Sequence, residues 1–487
     1  MRAVGSFAGL AEFPAAWRAV GSLEIAGITA DSRQVVPGDL FAALPGTRAD
    51  GRAFIADAVA RGAIAVLAPL GTVWPADVPP RPLILDTEPR QRLAEIAAIF
   101  AGPQPTTVAA VTGTNGKTST VEFLRQLWAA SGLKAASVGT LGVIAPGFDP
   151  GPGLTTPDPV SLAETLAGLR RSAVEYVALE ASSHGLDQHR LDGVRLSAAA
   201  FTNFTRDHLD YHASEAEYRR AKLRLFTELL PDGAAVVANA DMEPSTLAAL
   251  REIVRQRGLM LRTVGEAGDA IRLLKVTPHS DGQAVIVATD GLRREVMLPL
   301  PGRFQVDNAL LAAGLAMTLG QRDALDLVAG LVGVRGRMEL AARLPNGAAV
   351  YVDYAHTPDA LARLLTALRP HASGRLHVVF GAGGDRDSGK RPLMGEVAAR
   401  FADVAIVTDD NPRSEKPSAI RAAILARCPG ACEIGDRRAA IDAALNALQP
   451  GDVLAVAGKG HEQGQTVEGA VLPFDDVSVV RKLVGAA

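Results

Sequence analysis

The stretch that most constrains this chain is residues 108–120. The apolar run Val108-Ala109-Ala110-Val111 passes through Thr112-Gly113-Thr114-Asn115-Gly116 into Lys117-Thr118-Ser119-Thr120 and a helical pattern. Strand, glycine turn and helix in that order make one βα unit, whose usual setting is a parallel sheet. Gly113 and Gly116 let the backbone turn sharply and aim its N–H groups inward, and Lys117 adds a mobile ammonium. Thr118 offers a hydroxyl to Mg²⁺, and the helix directs its positive end at the same point. The stretch reads as a phosphate-binding loop. A full Walker A pattern has another glycine where Val111 stands, so this is the shorter Gly-x-x-Gly-Lys-Thr form. An ordinary strand-to-helix turn is the alternative.

At 487 residues the chain is too long for one core and suggests about three domains of ~150 residues each. With 48% hydrophobic and 21% charged residues it has an ordinary globular composition. A formal net charge of −3 supplies no polycation for nucleic acid or acidic membranes, so an anionic ligand must be held locally. There is no basic start followed by an apolar run, and no segment nears ~18 uninterrupted apolar residues. A cytoplasmic protein without membrane insertion is expected. Cys428 and Cys432 have no companions to complete a zinc site and read as free thiols. Of 50 basic residues only eight are lysine: Lys117, Lys134, Lys222, Lys275, Lys390, Lys416, Lys459 and Lys482. Where arginine is the default cation, a lysine inside a motif suggests a need for a compact ammonium or an amine, although codon bias gives the same scarcity.

Taken in order, residues 54–60 and 90–100 read as helices and 63–68 and 82–86 as buried strands, before Gly102-Pro103-Gln104-Pro105 forms a linker. Apolar strands and helical patterns then alternate: 107–112, 117–131, 136–140, 160–171, 176–179, 198–202, 215–229 and 234–239. Ligands of such a sheet lie outside the carboxyl ends of its strands. Polar runs stand there: Glu180-Ala181-Ser182-Ser183-His184-Gly185, Gln188-His189-Arg190, and Asn203-Phe204-Thr205-Arg206-Asp207-His208-Leu209-Asp210-Tyr211-His212. Glu180 and His208 are candidate Mg²⁺ ligands beside the phosphate loop. The bland readings are a glutamate paired with arginine and histidines satisfied within their loops. From pattern alone, Lys222 is one charge among four on a solvated helix face. Gly302 opens a long Ala/Leu helix, in whose first turn Asp307 or Asn308 would be a cap or Asn308 an adenine reader. Residues 333–339 look like a hinge.

A second alternating region follows from about residue 340, with strands at 349–352, 377–380, 404–407 and 453–456. Each strand is followed by a polar loop: Asp353-Tyr354-Ala355-His356, then 381–391, then Asp409-Asp410-Asn411-Pro412-Arg413-Ser414-Glu415, then Gly458-Lys459-Gly460-His461-Glu462. A dinucleotide site at Gly381-Ala382-Gly383-Gly384 is disfavoured, because the third glycine is out of place and the loop is full of charge.

In this order the motifs resemble those of the Mur ligases, the ATP-dependent amino-acid-adding enzymes of peptidoglycan synthesis. The matching runs are Gly-Thr-Asn-Gly-Lys-Thr, Glu-Ala-Ser-Ser-His-Gly, Asn-x-Thr-Arg-Asp-His-Leu-Asp-Tyr-His, Ala-Lys-x-x-Leu-Phe, Asp-Tyr-Ala-His-x-Pro, Gly-Gly-Asp-Arg-Asp and Gly-Lys-Gly-His-Glu. The resemblance covers nearly the whole chain and is closest to the member that adds the third residue of the stem peptide. It implies a three-domain α/β fold: a small mixed α/β UDP-substrate domain (1–103), a central P-loop parallel-sheet ATPase domain (104–335) and a C-terminal Rossmann-like α/β domain (336–487) that binds the amino acid. Closure of the last two domains is expected.

The resemblance also implies residue roles. Gly113, Thr114, Asn115, Gly116, Lys117, Thr118 and Ser119 would hold ATP phosphates, with Asn308, Arg337, Asp353 and His356 around the nucleotide. Thr118, Glu180 and His208 would hold Mg²⁺, joined by Lys222 as a CO₂-derived carbamate, which replaces the solvated-face reading. Lys117, Lys222, His208 and Glu180 are the catalytic set. Ser32, Thr47, Arg48 and Ala49 would hold UDP, and Thr155, Thr156, Ser182, Gln188 and Arg190 the muramoyl-dipeptide. Arg386, Asp410, Asn411, Pro412, Arg413, Gly458 and Glu462 would hold meso-diaminopimelate, whose distal carboxylate Arg413 can bind bidentately; L-lysine has no such group. A salt bridge from Arg413 to Glu415 or Asp410 is the competing reading. Gln305 and Arg335 depart from the family's usual asparagine and proline. The expected partners are these small molecules, with no nucleic acid, and the expected state is a monomer. A lysine-adding relative, a folylpolyglutamate synthetase-like ligase and a non-catalytic nucleotide switch are the alternatives.

Overall fold

The computed structural model describes residues 2–3, 23–46, 49–148, 154–205, 211–279 and 282–485. These residues cluster into two units, one comprising 1–269 with 311–324 and the other 270–310 with 325–487.

The first unit holds two parallel sheets. Strands β1 (Gly27–Thr29), β2 (Asp39–Ala42), β3 (Ala65–Pro69) and β4 (Leu83–Asp86) pair in that order, all parallel. Alternate residues feed different cores: Leu40 and Ala42 pack with helix α2 (Pro89–Ala101), Phe41 and Ala43 with α1 (Ile55–Ala60). A sheet buried on both faces needs such unbroken apolar runs.

The second sheet uses β5 (Thr107–Thr112), β6 (Ala135–Gly139), β7 (Gly142–Ile144), β8 (Tyr176–Glu180), β9 (Ala198–Phe201), β10 (Ala235–Asn239) and β11 (Met260–Gly265). Their order is β11-β10-β9-β5-β8-β6-β7, parallel except for the β6–β7 hairpin. Helix α3 (Lys117–Ala130) follows β5, and α4 (Pro159–Arg171) precedes β8. Short α5 (Ser183–Asp187) follows β8; α6 (Glu215–Arg224) runs into a π-turn at Leu225–Leu229 where one continuous helix is expected from pattern. Helix α7 (Pro244–Arg257) precedes β11. Glu180 pairs with Val111, and Phe201 with Thr112, so β5, β8 and β9 end level. The chain leaves β5 toward one side of the sheet and β9 extends it on the other, the switch point where such folds bind ligands.

In the second unit, β12 (Ile271–His279), β13 (Gly282–Thr289) and β14 (Leu292–Leu298) form an antiparallel meander that sequence pattern does not reveal. Helix α8 (Arg303–Thr318) begins there. The six-stranded sheet combines β15 (Glu339–Arg343), β16 (Ala349–Asp353), β17 (Leu376–Phe380), β18 (Val404–Val407), β19 (Cys432–Glu433) and β20 (Val453–Ala457) in the order β15-β16-β20-β17-β18-β19, with only β15 antiparallel. Tyr351, Val378 and Ala455 face one core; Val350, Val379 and Val456 face the other. Helices α9 (Pro358–Leu368), α10 (Lys390–Phe401), α11 (Pro417–Leu425), α12 (Arg437–Ala447) and α13 (Asp476–Leu483) and the hairpin β21 (Gly464–Val467)–β22 (Ala470–Pro473) complete it.

Candidate active site

In the first unit the glycine turn at 113–116, the candidate phosphate loop, is braced from the end of β9. Thr114 N–H donates to the Asn203 carbonyl at 2.9 Å, Asn115 N–H to Asn203 Oδ1 at 2.9 Å, and Thr202 Oγ1 to the Asn115 carbonyl at 2.6 Å. Gly113 (φ 143°) is required here, because a Cβ would stand 1.8 Å from Thr202 Oγ1. Gly116 (φ 85°) caps α3, whose first-turn N–H groups point out along the helix axis. Lys117 Nζ lies over the loop, donating to the Gly113 and Thr114 carbonyls at 3.0 Å each.

Glu180, 1% exposed, is the hub behind the loop. Its carboxylate accepts from Thr140 N–H at 2.8 Å, Thr118 Oγ1 at 3.1 Å and Thr140 Oγ1 at 3.3 Å. These three donors, two hydroxyls and an amide, converge on it from Thr118 and Thr140. Lys222, read from pattern as solvated, is 1% exposed: Nζ donates to the Gly113 carbonyl at 2.7 Å and sits 4.4 Å from the Tyr218 ring centre. Helix α6 turns that face inward because Tyr218, Ala221 and Leu223 are also buried. Tyr218 in turn donates to Thr114 Oγ1 at 3.2 Å. His208, Thr47 and Arg48 lie outside the described residues. His189 is satisfied locally by Asp192 at 2.9 Å.

The peptide-side candidates join the same hub. Thr140 and Thr155 hydroxyls are 3.1 Å apart; Thr156 Oγ1 donates to the Glu180 carbonyl at 2.9 Å and meets Ser182 Oγ at 3.0 Å. Arg190 donates to the Thr156 carbonyl at 2.7 Å and to Gln188 Oε1 at 2.8 Å, and Gln188 donates to Tyr211 at 3.0 Å. Burial pushes the Arg190 guanidinium below its ordinary pKa. Ser32, buried in the turn after β1, and Ala49, whose carbonyl accepts from Gly46 N–H, have no hydrogen bond to this network among the described residues.

In the second unit Asp353, Gly458, the 381–391 loop and the 408–416 loop stand at adjacent strand ends. Asp353 accepts from Met338 and Ala355 N–H at 2.7 and 2.8 Å, and burial pushes its carboxyl above the usual range. Arg337 lies 5.3 Å from the Tyr354 ring centre. His356 Nδ1 contacts the Tyr354 carbonyl at 2.9 Å, and the His356 carbonyl receives Lys390 Nζ at 2.9 Å. Asn308 is buried inside α8 and donates to Gln305 Oε1 at 3.2 Å; the helix opens at Arg303, so neither Asp307 nor Asn308 is its cap.

Arg413 (φ 53°) is fixed by backbone bonds to β21 and gives Nη1 to the Gly384 carbonyl at 2.7 Å. Its expected competitor is taken: Glu415 pairs bidentately with Arg391 at 2.8 and 2.9 Å. Among the described residues no carboxylate pairs with Arg413. Asn411 bonds Glu462 at 2.9 Å, and Asp410 lies 3.8 Å from Lys459 Nζ. Pro412 packs on Gly384, where a Cβ would stand 2.0 Å from its carbonyl oxygen. The glycines at 381–384 therefore serve the close approach of this loop. Exposed Arg386 makes no hydrogen bond among the described residues. Sequence reasoning leaves Thr140, Tyr218 and Lys459, among others, out of the site; of these three only Lys459 carries a signal, the scarcity of lysine.

Residues 24–101 match the Mur ligase family catalytic domain, 111–316 the Mur ligase middle domain and 336–460 the Mur ligase glutamate ligase domain. The chain is 55% identical over 464 residues to the UDP-N-acetylmuramoyl-L-alanyl-D-glutamate--2,6-diaminopimelate ligase of Caulobacter vibrioides, covering 93% of this chain and 94% of that one. A solved structure of a ligase of the same name is similar at TM-score 0.74 with 32% identity, over 100% of this chain and 99% of that one. A MurF ligase from Thermotoga maritima in complex with ADP shares the fold, at TM-score 0.58 and 19% identity over 95% and 97% of the two chains.

Proposed function

Because the chain belongs to the Mur ligase family, we propose that it adds meso-diaminopimelate to UDP-N-acetylmuramoyl-L-alanyl-D-glutamate, using ATP and passing through an acyl phosphate. The observation that carries the amino-acid choice is Arg413, held rigidly by backbone bonds while Glu415 is occupied by Arg391. Its guanidinium suits the distal carboxylate of diaminopimelate.

In this reading Lys117 and the first turn of α3 hold the phosphates of ATP, and Thr155, Thr156, Ser182, Gln188 and Arg190 orient the dipeptide so that its terminal carboxylate attacks the γ-phosphorus. Ser32, Thr47, Arg48 and Ala49 hold UDP; Asn308, Arg337, Asp353 and His356 surround the nucleotide. The hydroxyl and carboxylate oxygens at Thr118 and Glu180 are the hard donors that Mg²⁺ prefers, with His208 and a carbamylated Lys222 as further ligands. When bound, Mg²⁺ supplies charge neutralisation for the phosphoryl oxygens. Glu462 and Asp410 receive the ammonium beside the distal carboxylate of diaminopimelate and Arg386 assists Arg413. The other amine, as the free base, attacks the acyl carbonyl, phosphate leaves and the nitrogen gives up a proton to solvent, so no protein nucleophile is needed. Domains at 1–103, 104–335 and 336–487, a cytoplasmic location and a monomer complete the proposal.

Phosphate release from ATP with the UDP-muramoyl-dipeptide tests it: turnover is expected with meso-diaminopimelate and not with L-lysine, and equal turnover with lysine would sink the role of Arg413. Carbamylation is read separately by labelling with ¹³C-bicarbonate. A carbamate ¹³C resonance should be present in the wild type and absent from Lys222→Ala; no resonance in either would remove the carbamate.

A further inference from the structure

Lys459 is buried in the loop after β20, and none of the roles above uses it. Its exposure is 0%, and Nζ donates to Asn411 Oδ1 at 3.0 Å and to the Gly464 carbonyl at 2.7 Å. Two carboxylates flank it at longer range, Asp410 at 3.8 Å and Glu462 at 3.7 Å. Asn411 Oδ1 also accepts Thr466 N–H at 2.9 Å, so two donors converge on that oxygen. The amide can therefore present only its NH₂ to Glu462 Oε2, at 2.9 Å. Rotating it by half a turn would set its NH₂ against an ammonium and an amide N–H. Among the described residues no hydrogen bond reaches Glu462 Oε1, which leaves that oxygen to an ammonium from the ligand.

We propose that Lys459 is a positioning residue for the incoming diamino acid: by fixing the Asn411 amide it aims Glu462 and ties the 410–413 turn to the 458–462 loop. This rests on the reading of those loops as the diaminopimelate site. Four acceptors surround the ammonium and offset part of the cost of burying it, and a compact point charge suits acceptors that converge from several directions better than a planar guanidinium fork. In a chain whose cations are otherwise mostly arginine, a lysine at this place has a physical reason.

Steady-state kinetics of the full-length enzyme test this with Lys459→Met, Lys459→Gln, Asn411→Ala and the double variant Lys459→Met/Asn411→Ala. Lys459→Met should raise KM for diaminopimelate about ten-fold or more, with KM for ATP within about two-fold of wild type. Lys459→Gln still donates to Asn411 Oδ1 and should recover part of the loss; it carries the test if the methionine variant fails to fold. The double variant should be no worse than Asn411→Ala, since both act on one carboxylate. Additive losses, or equal rises in KM for ATP and for diaminopimelate, would overturn the positioning role. A wild-type enzyme whose phosphate release ignores diaminopimelate would instead overturn the amino-acid reading, and the role of Lys459 with it.

Discussion

At the scale of single residues, the site depends on side chains that are small or absent as much as on charged ones. Glu180 can receive both Thr140 and Thr118 because Gly139 leaves room: a Cβ there would stand 2.2 Å from Glu180 Oε1. Gly139→Ala should push the carboxylate out of place without adding charge. A misplacement of this size costs about 10²-fold in rate, so kcat should fall by that order while circular dichroism stays native. Unchanged kcat would mean that the position of Glu180 does not matter to the reaction.

Among the elements, helix α12 is anchored by an ion pair with no solvent contact. Arg437 and Asp476, whose side chains are both 0% exposed, form two hydrogen bonds of 2.8 and 2.7 Å that join α12 to α13, and Arg437 also donates to the Ala457 carbonyl at 3.0 Å, just before Gly458. Removing one partner leaves a buried charge uncompensated, which costs about 3–5 kcal/mol. Asp476→Ala should therefore lower the denaturant midpoint by a matching amount, and Arg437→Met/Asp476→Leu should recover most of it. A single-site loss below about 1 kcal/mol would show that water reaches the pair.

Across the whole molecule, chain segments far apart in sequence meet at His371, which is 5% exposed. Nε2 accepts Gly302 N–H at 3.0 Å and Nδ1 lies 2.8 Å from the His279 carbonyl, so the ring is neutral with its proton on Nδ1. Burial pushes its pKa below the ordinary histidine value. Between that lowered value and the unfolded value near about 6.5, the unfolded chain binds more protons, so stability rises with pH through this window and is lost as pH falls through it. Melting temperatures measured from about pH 7 down to about pH 5 should drop more steeply for wild type than for His371→Gln. Parallel curves would assign acid sensitivity to other groups.

Glycine spacing and apolar runs are local signals, and they suffice to place the strand, glycine turn and helix at 107–130, the strands at 349–352, 404–407 and 453–456, and the order of the polar loops. Tertiary structure decided what those residues face. Lys222 reads as solvated in a helix carrying three arginines nearby, and only packing of α6 brings it to the Gly113 carbonyl. Glu415 stands two residues from Arg413 yet pairs with Arg391, 24 residues away. Thr140 is an unremarkable strand end until Glu180 arrives from β8. The meander at 271–298 escaped the pattern because its outer strand mixes apolar and charged residues on the same face, with Leu292 and Met297 exposed and Arg294 half-buried, a weak signal for a strand at the edge. Local composition specifies an element; which charge meets which partner depends on sheet order and register, and those are set by contacts between segments that the linear chain keeps apart.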